Sequence, residues 1–378
     1  MSEESYKMLY LAPLPIDLYN LDGVPKKIIS QAEAYCIAGI SVTIATFLDG
    51  HINLINVANR CVKTLSKAKN KIHVINYVKK VIDSYDIFYI RYPLCDFTFL
   101  SLLKKIKQKQ KKIIVEIPTF PYDEEGKESI KGRITHLVDK AIRYRLKSYV
   151  DRVVTFTGED EIFGIKTLTT INGFDFDKVA PHTTPCETDK KIELIAVSGM
   201  FRVHGYDRLI KGIADYKRNG GERHIVLHLV GNGYYVDYYK QLVEEYGLNQ
   251  NVIFHGRVVG EELYTLYKGI ALGVNSLAIH RQNLKKESTL KTKEYAAMGL
   301  PIVSSSYVDA FSHDGNSKYV FQVPADESHI DIEGLISFVD NLYQKHTVKE
   351  LRDIIRCESY NICDIKTTIA PVLQYIKN

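Results

Sequence analysis

The segment ESTLKTKEYAAMGLPIVSS, residues 287–305, constrains the fold of this chain more than any other. Glu294 opens a helical run, Gly299 stops it, and Pro301 leads directly into a β-branched strand. A helix ended by glycine and followed by proline and a buried strand is typical of an αβ unit in an α/β protein. A carboxylate at the start of such a helix lies where open α/β sheets bind ligands. It indicates either a group that binds a ribose or a side chain that only complements the helix dipole.

Strands and helices alternate through the rest of the chain. In the second half, the strands IELIAV, HIVLHLVGNG and NVIFHGRV each precede a helical pattern. In the first half, one predicted helix is stopped by Gly39, and the segment FTFLSLLKKIKQKQ predicts an amphipathic helix. Strands of this half are predicted at KMLYLAPLP, SVTIATF, KIHVINY, DIFYIRYP, KIIVEIP, RVVTFTG and TLTTING. This alternation predicts an α/β fold with a parallel sheet in each half. The 378 residues are enough for two such domains.

Cysteine usage and hydrophobicity exclude several classes of protein. The six cysteines are scattered without a CxxC pair, which indicates reduced thiols and neither a disulfide framework nor a zinc site. The N-terminus MSEESYK is polar and no apolar stretch is long enough to span a bilayer. We therefore expect a cytoplasmic protein.

The net charge of +5 is unevenly distributed. Two basic segments, LKKIKQKQKK at residues 103–112 and RYRLKSYVDR at residues 143–152, are predicted to lie on helices of the N-terminal half. They indicate either solvated helix faces or a surface that rests on the anionic headgroups of the inner face of the plasma membrane. Nucleic acid ranks last as a partner, because no segment resembles a module that recognises it.

The segments HGYDRLI, LVGNG, VIFHG and STLKTKEYAAMGLPIVSS follow one another across residues 204–305. In this order they resemble the C-terminal domain of retaining glycosyltransferases of the B-type fold (GT-B), and in particular family 4, the glycosyl transferases group 1 of polysaccharide biosynthesis. The resemblance implies two facing Rossmann-like domains and a C-terminal helix that crosses back to the first. We expect an acceptor-side domain over residues 1–178, a nucleotide-sugar-binding domain over residues 190–360, and the returning helix over residues 361–378.

The same resemblance implies the activity. It indicates a metal-independent, retaining hexosyltransferase that needs no cofactor and uses a nucleoside diphosphate sugar, with UDP favoured, as its co-substrate. The acceptor would be a saccharide or a lipid-linked saccharide in the assembly of a capsule or other surface polysaccharide. Because the motifs depart from the family pattern, a non-catalytic GT-B subunit that stabilises another transferase is the alternative. The oligomeric state is left open.

The expected diphosphate clamp lies in the loop before the first helix of the second domain. Family members place an arginine and a lysine there, whereas this chain has Met200 at the arginine position and His204 at the lysine position. The resemblance therefore assigns the arginine's role to Arg202 or Arg208, and lets His204 donate as an imidazole. For Arg208, a salt bridge on the helix surface is the alternative.

The family's two glutamates, separated by seven residues, are only partly present. Lys286 occupies the first position, and Glu287, one residue later, is the catalytic candidate there. The resemblance implies that Lys291 neutralises diphosphate charge and that Glu294 holds the ribose hydroxyls. It also implies contacts with the sugar or phosphate from the backbone N–H groups of Ser288, Thr289 and Leu290.

Two further candidates concern the donor. Backbone groups from Phe254 to Arg257 are expected to read the edge of the base, while Phe254 also belongs to the core. In the first domain, Gly23 stands in the place of the family's glycine-rich loop, where a glycine lets the backbone approach the diphosphate. A plain turn is the alternative for Gly23.

Glu116 is the second catalytic candidate. It lies at the end of the strand KIIVEIP, in a region where the resemblance implies contact with the acceptor. It would orient the acceptor or stabilise positive charge that develops on the sugar ring. An ion pair with Arg91 or Arg133 is the alternative.

Overall fold

The computed structural model forms two compact units, residues 1–173 with 368–378 and residues 174–367. Each unit carries its own sheet, which confirms the α/β fold class with a largely parallel sheet in each half. The residues that the structure describes are 6–19, 21, 23–123, 129–186, 188–282, 288–311 and 317–378.

The described residues of the first unit form a sheet of nine strands. They are β1 (Lys7–Pro15), β2 (Ser41–Leu48), β3 (His51–Asn56), β4 (Cys61–Lys67), β5 (Ile87–Arg91), β6 (Lys112–Ile117), β7 (Arg152–Thr155), β8 (Glu161–Ile162) and β9 (Ile165–Thr169). Their order is β4-β3-β2-β1-β5-β6-β7-β9-β8. The strands from β2 to β9 in this order are parallel, and β3, β4 and β8 pair antiparallel at the edges.

In the described part of the first unit, four helices precede the second unit in the chain. They are α1 (Gly23–Ile37), α2 (Lys71–Val78), α3 (Phe97–Gln108) and α4 (Ile130–Ile142). The predicted stop of the first helix is confirmed, because Gly39 follows α1 with a φ of +92°. Large apolar side chains of β1, β5, β6 and α3 form the core on one face of the sheet.

The segment KIHVINY, predicted as a strand, is instead the helix α2. Asn70 caps its N-terminus by accepting a hydrogen bond from Ile72 N at 3.0 Å. Val74, Ile75 and Val78 are buried, at the i, i+1 and i+4 spacing of one helix face. The β-branched composition suggested a strand, but the cap and this spacing determine the structure.

The second unit contains a six-stranded, fully parallel sheet. Its strands are β10 (Lys191–Val197), β11 (His224–Val230), β12 (Val252–Gly256), β13 (Leu272–Val274), β14 (Ile302–Ser304) and β15 (Val320–Gln322), in the order β12-β11-β10-β13-β14-β15. From β10 the chain moves outward to β12, and then restarts on the other side of β10 with β13. The carboxyl ends of β10 and β13 therefore flank a topological switch point, where ligands of open α/β sheets bind.

The helices of the second unit alternate with its strands. They are α5 (Tyr206–Arg218), α6 (Val236–Glu245), α7 (Gly260–Thr265), α8 (Leu290–Ala297), α9 (Ile332–Tyr343), α10 (Val348–Cys363) and α11 (Ile365–Thr368). Helix α8 begins at Leu290, so Glu294 lies in its second turn. The prediction that Glu294 begins the helix is therefore wrong. Helix α10 runs through residue 360, where the sequence-based division placed a boundary.

The last helix, α12 (Ala370–Lys377), belongs to the first unit although it follows the second in sequence. Lys112 Nζ at the start of β6 donates to the carbonyl oxygen of Ile376 at 2.7 Å. The guanidinium of Arg152 lies 4.8 Å from the ring centre of Tyr375. The predicted return of the C-terminal helix to the first domain is thus confirmed. Across the described residues, no helix has the length and apolar character needed to cross a membrane.

Candidate functional site

Glycines bring three loops together at the carboxyl edge of the second sheet. A Cβ atom on Gly233 would lie 1.8 Å from the carbonyl oxygen of Gly199, so the turn after β11 packs directly on the loop after β10. A Cβ atom on Gly205, which has a φ of +63°, would lie 2.6 Å from Ala278 Cβ in the loop after β13. The glycines of LVGNG and HGYDRLI are therefore required by close packing at this edge.

This packing predicts that Gly233→Ala destabilises the second unit by about 2–3 kcal/mol, because backbone atoms must move to admit the methyl group. Urea denaturation would measure the loss. Gly247→Ala is the control: its φ of +63° is strained for alanine, but no atom lies within 4 Å of the new Cβ. It should cost only about 1 kcal/mol. Equal losses in both variants would contradict the close approach of these loops.

His204 is held as a neutral imidazole at this edge. Phe201 N donates to His204 Nδ1 at 2.9 Å, so the proton of the neutral ring is on Nε2. The ring stacks between those of Phe201 and Tyr206, with centroids 5.9 and 5.6 Å away. Burial and then the charge of Lys291 hold the pKa of His204 well below its usual value. His204 can therefore donate one hydrogen bond from Nε2 at neutral pH.

Lys291 lies in the first turn of α8, on the other side of the switch point. Its Nζ donates to Ser276 Oγ, just after β13, at 3.2 Å. Thr289, the N-cap of α8, makes no side-chain bond to the helix backbone, and its hydroxyl donates to Asn275 Oδ1 at 3.2 Å. An ammonium group, an imidazole N–H and the N-terminus of a helix thus come together. This combination suits an anion such as a diphosphate.

A buried polar network supports the start of α8. Asn275 Nδ2 donates to Ser304 Oγ at 2.9 Å and to Ser306 Oγ at 3.0 Å, which links the ends of β13 and β14. Below α8, the fully buried Lys293 pairs with Asp309. The Ser288 hydroxyl, just before α8, also donates to Asp309, at 2.6 Å. These contacts fix the backbone of residues 288–290, for which a ligand-binding role was predicted.

Glu294 is nearly enclosed, with 9% of its surface exposed. It accepts a hydrogen bond from the hydroxyl of Tyr267 at 3.1 Å. Burial and the charge of Glu294 raise the pKa of Tyr267, so this hydroxyl stays protonated and acts as a donor. This hydrogen bond to Oε1 therefore fixes the orientation of the Glu294 carboxylate. Its role toward a ribose stays a prediction.

Arg208 is committed to the protein itself. Its side chain is 1% exposed, and its five N–H groups face five acceptors. The acceptors are the carbonyl oxygens of Leu277, Pro324 and Ser328, the carboxylate of Asp326 and the hydroxyl of Ser328. The predicted role in the diphosphate clamp would need a donor that Arg208 does not have available. Arg202, in contrast, is exposed.

Met200 explains why the clamp differs from the family pattern. It occupies the arginine position of the motif, but its side chain is fully buried in the core of the second unit. Its backbone has a φ of +45°, in the left-handed region. Met200 cannot take over the role of the arginine, because its side chain has no hydrogen-bond donor. Among the described residues, Lys291 is therefore the cationic group at this helix terminus, and Arg202 is an exposed cation in the loop after β10.

Arg281 is a residue that the sequence-based reasoning missed. It holds Asp207 of α5 through Nη1 and Nη2 at 2.9 and 2.8 Å. It also contacts Glu327 through Nε at 2.8 Å and Nη2 at 2.5 Å. The hydrogen bonds from Arg281 lower the pKa of Glu327 to about 2. This clamp fixes the loop after β13, but its partners lie 74 and 46 residues away, so no local motif reveals it.

The remaining candidates of the second unit are less informative. Phe254 is half-buried and packs against the core, with Lys240 Nζ 5.8 Å from its ring centre. Arg257 follows β12 and is exposed. Their predicted role toward the base stays a prediction. Lys286 and Glu287 lie outside the described residues.

In the first unit, Glu116 is fully buried. It accepts hydrogen bonds from Lys27 Nζ at 3.0 Å, Arg91 Nη1 at 2.8 Å and the Tyr89 hydroxyl at 2.7 Å. Burial alone would raise the pKa of Glu116, but the charges of Lys27 and Arg91 outweigh it and lower the pKa to about 2. The ion pair with Arg91 is thus present, and the enclosed position argues against the predicted catalytic role.

Gly23 is the first residue of α1 and has a φ of +44°. No atom lies within 4 Å of a Cβ placed on it, so its backbone conformation and not its surroundings favours glycine. Its role toward a diphosphate stays a prediction. Within the described parts of the chain, no group of three or more His, Cys, Asp or Glu side chains is arranged to hold a metal ion.

Part of the second unit matches the model of a known protein family. Residues 191–341, which form most of the second unit, match the family model described as Glycosyl transferases group 1. No curated protein matches the sequence.

Several solved structures share the fold. A glycosyltransferase from Rickettsia africae has a TM-score of 0.65 at 14% identity, over 99% of this chain and 98% of its own. Sucrose-phosphate synthase from Thermosynechococcus elongatus has a TM-score of 0.64 at 14% identity, over 98% of this chain and 99% of its own. HepE from Anabaena, in complex with UDP-glucose, has a TM-score of 0.64 at 12% identity over the same shares. These likenesses confirm the GT-B fold with two Rossmann-like domains.

Proposed function

We propose that the protein is a glycosyltransferase that moves a hexose or N-acetylhexosamine from a nucleoside diphosphate sugar to a saccharide or lipid-linked saccharide. UDP is the favoured nucleotide, the reaction retains the anomeric configuration, and neither a metal nor another cofactor takes part. Assembly of a surface polysaccharide is the proposed pathway, in the cytoplasm. The Glycosyl transferases group 1 domain at residues 191–341 supports sugar transfer from a nucleotide donor.

The observation that carries this proposal is the meeting of Lys291 and His204 at the switch point of the second sheet. The ammonium group contacts Ser276 after β13, and the imidazole projects from the loop after β10. The carbonyl oxygen of His204 accepts a hydrogen bond from Leu277 N at 2.8 Å, directly after Ser276, so the loops after β10 and β13 are in contact. The first turn of α8, which contains Lys291, also offers backbone N–H groups. A diphosphate is the ligand of a nucleotide sugar that this arrangement fits.

These groups would act most strongly as the sugar leaves. Negative charge grows on the diphosphate when its bond to the anomeric carbon breaks. Lys291 and the N-terminus of α8 would stabilise that charge, and His204 would add one hydrogen bond from Nε2. Glu294 would hold the ribose hydroxyls, and backbone groups near Phe254 and Arg257 would contact the base. We assign no catalytic step to Glu116, because it is enclosed by its own partners.

A comparison with one solved structure supports UDP as the nucleotide. HepE, which shares the fold at low identity, is described in complexes with UDP-glucose and with UDP and glucose. That pair of complexes supports a nucleotide-sugar donor and a saccharide acceptor for the present chain.

Isothermal titration of the full chain with UDP, GDP and ADP, and with their common sugar conjugates, would test the proposal. We expect UDP to bind with a Kd in the micromolar range, and one UDP-sugar to bind in addition. Proton NMR of the product should show the anomeric configuration of the donor, and excess EDTA should leave the rate unchanged. Failure to bind any of these ligands would overturn the proposed activity.

The alternative, a non-catalytic GT-B subunit, has specific support. Met200 replaces the arginine of the motif by a buried apolar side chain, and the five N–H groups of Arg208 are occupied. If the chain binds no nucleotide but raises the activity of a second transferase when both are mixed, the subunit function replaces the enzymatic one.

A further inference from the structure

Helix α4 of the first unit carries apolar side chains on the side that faces solvent. Ile130, Ile134, Leu137 and Val138 are 78%, 56%, 68% and 36% exposed, respectively. Their spacing of i, i+4, i+7 and i+8 places them on one face of the helix. We call these four residues the apolar stripe. A soluble helix normally turns such a face toward the core, so the stripe requires an explanation.

The opposite face of α4 is fixed by polar contacts and cannot rotate to bury the stripe. Asp139 is fully buried and accepts hydrogen bonds from Cys95 N at 2.6 Å and from the Tyr122 hydroxyl at 2.8 Å. Arg143, one turn later, donates to Asp123 at 2.8 Å and is also buried. Because a buried carboxylate with these partners is costly to release, α4 keeps one orientation. The stripe is thus held outward by the structure beneath it.

Basic side chains flank the stripe on both sides. At 100° per residue, Lys131 projects from one flank of α4, and Arg133 and Lys140 project from the other. All three are exposed. The 3-10 turn at residues 143–148 continues the surface with Tyr144 exposed and with two more exposed bases, Arg145 and Lys147. Between residues 129 and 148 the single acidic residue is the buried Asp139.

We propose that α4 is an interfacial helix that docks the protein on an anionic lipid surface. The apolar stripe would enter the boundary between headgroups and acyl chains, and the flanking lysines and arginines would contact the headgroup phosphates. This inference does not depend on the glycosyltransferase activity. It assigns membrane contact to α4 and to the 3-10 turn at residues 143–148, which belongs to the predicted basic segment 143–152, and it assigns none to residues 103–112.

The charge pattern favours lipid over a second copy of this chain as the occupant. A two-fold contact through the stripe would place the basic flanks of one copy near the same flanks of the other. Because the described and exposed residues of α4 and of the 3-10 turn include five cations and no anion, that contact would be repulsive. An anionic bilayer supplies both the apolar layer and the opposite charge.

Co-sedimentation with vesicles tests the proposal on the full chain. We expect binding to vesicles of phosphatidylcholine with 30% phosphatidylglycerol (roughly the anionic content that recruits basic segments), weak binding to phosphatidylcholine alone, and release by salt. Ile134→Ser with Leu137→Ser should weaken binding at least about tenfold. The matched control, Ile37→Ser with Val62→Ser, also replaces two exposed apolar side chains and should bind like the parent.

The chain contains no tryptophan, which allows a direct probe of insertion. Leu137→Trp should show a blue-shifted emission when anionic vesicles are added, and Ile37→Trp should not. The proposal would be overturned by an absence of binding to anionic vesicles, by equal loss in the stripe and control variants, or by an unshifted emission. It would equally be overturned if the parent dimerised in solution and the stripe variant did not, because a second copy would then occupy the stripe.

Discussion

Glu116→Ala is expected to lower the free energy of unfolding of the first unit by about 3–5 kcal/mol, the range for breaking a buried ion pair by removing one partner. Lys27 Nζ and Arg91 Nη1 contact the same carboxylate oxygen, and their side chains are only 6% and 14% exposed. Without Glu116 these two cations would remain close together in a region that water reaches poorly. Urea denaturation, followed by circular dichroism, would measure the loss.

Glu33→Ala provides the control for this prediction. Glu33 pairs with Arg60 at 2.5 Å, but the Arg60 side chain is 58% exposed. Its removal should cost less than about 1 kcal/mol, as is usual for surface pairs. If Glu116→Ala costs no more than Glu33→Ala, the buried network does not stabilise the unit, and an accessible, functional Glu116 would have to be reconsidered.

Acid should weaken the first unit through the same group. The pKa of Glu116 is lowered from 4.5 to about 2 on folding, so the unfolded chain binds a proton more readily than the folded one. The stabilisation is therefore complete above about pH 4.5 and is lost as the pH falls toward 2, by roughly 3 kcal/mol in all. Glu116→Gln should be less stable at neutral pH and should lack this part of the acid dependence. Parallel curves for the two proteins would contradict the lowered pKa.

The fold could be predicted where each element is encoded locally. The segment from Thr289 to Val303 contains a helix, its glycine stop and the next strand in that order, so periodicity alone gives the αβ unit. The segment KIHVINY was misread because its β-branched residues favour a strand, whereas its helix depends on the Asn70 side chain and on packing of α2. The antiparallel strands β3 and β4 also went unpredicted, although they pair with one another in sequence order.

The candidate site could be predicted only in part, because its supports come from distant parts of the chain. Lys291 and His204 were found through the motif, and the structure brings them to one switch point. The motif cannot show that Arg208 donates its hydrogen bonds to a loop more than one hundred residues later, at Pro324 and Asp326. Whether an arginine binds a ligand or a loop depends on tertiary contacts, which residue type does not reveal.

Lys291→Met is expected to weaken UDP binding about 100-fold, close to 3 kcal/mol, because a diphosphate would lose its main counter-charge in a partly enclosed site. Methionine keeps the length of the side chain and its packing while removing the charge. Lys349→Met is the control, since the Lys349 side chain is 71% exposed and pairs with Asp353 one turn away on α10. It should leave the affinity unchanged. Isothermal titration with UDP would measure both.

The same variant has a second readout that does not depend on the ligand. The charge of Lys291 contributes, after burial, to the lowered pKa of His204. Lys291→Met should therefore raise that pKa, while burial keeps it below the usual value of about 6.5. A titration of the His204 ring followed by NMR would detect the change. If the pKa rises but UDP affinity does not fall, the two side chains meet as described and the anion they bind is not a nucleoside diphosphate. If neither changes, the geometry of the switch point itself is wrong.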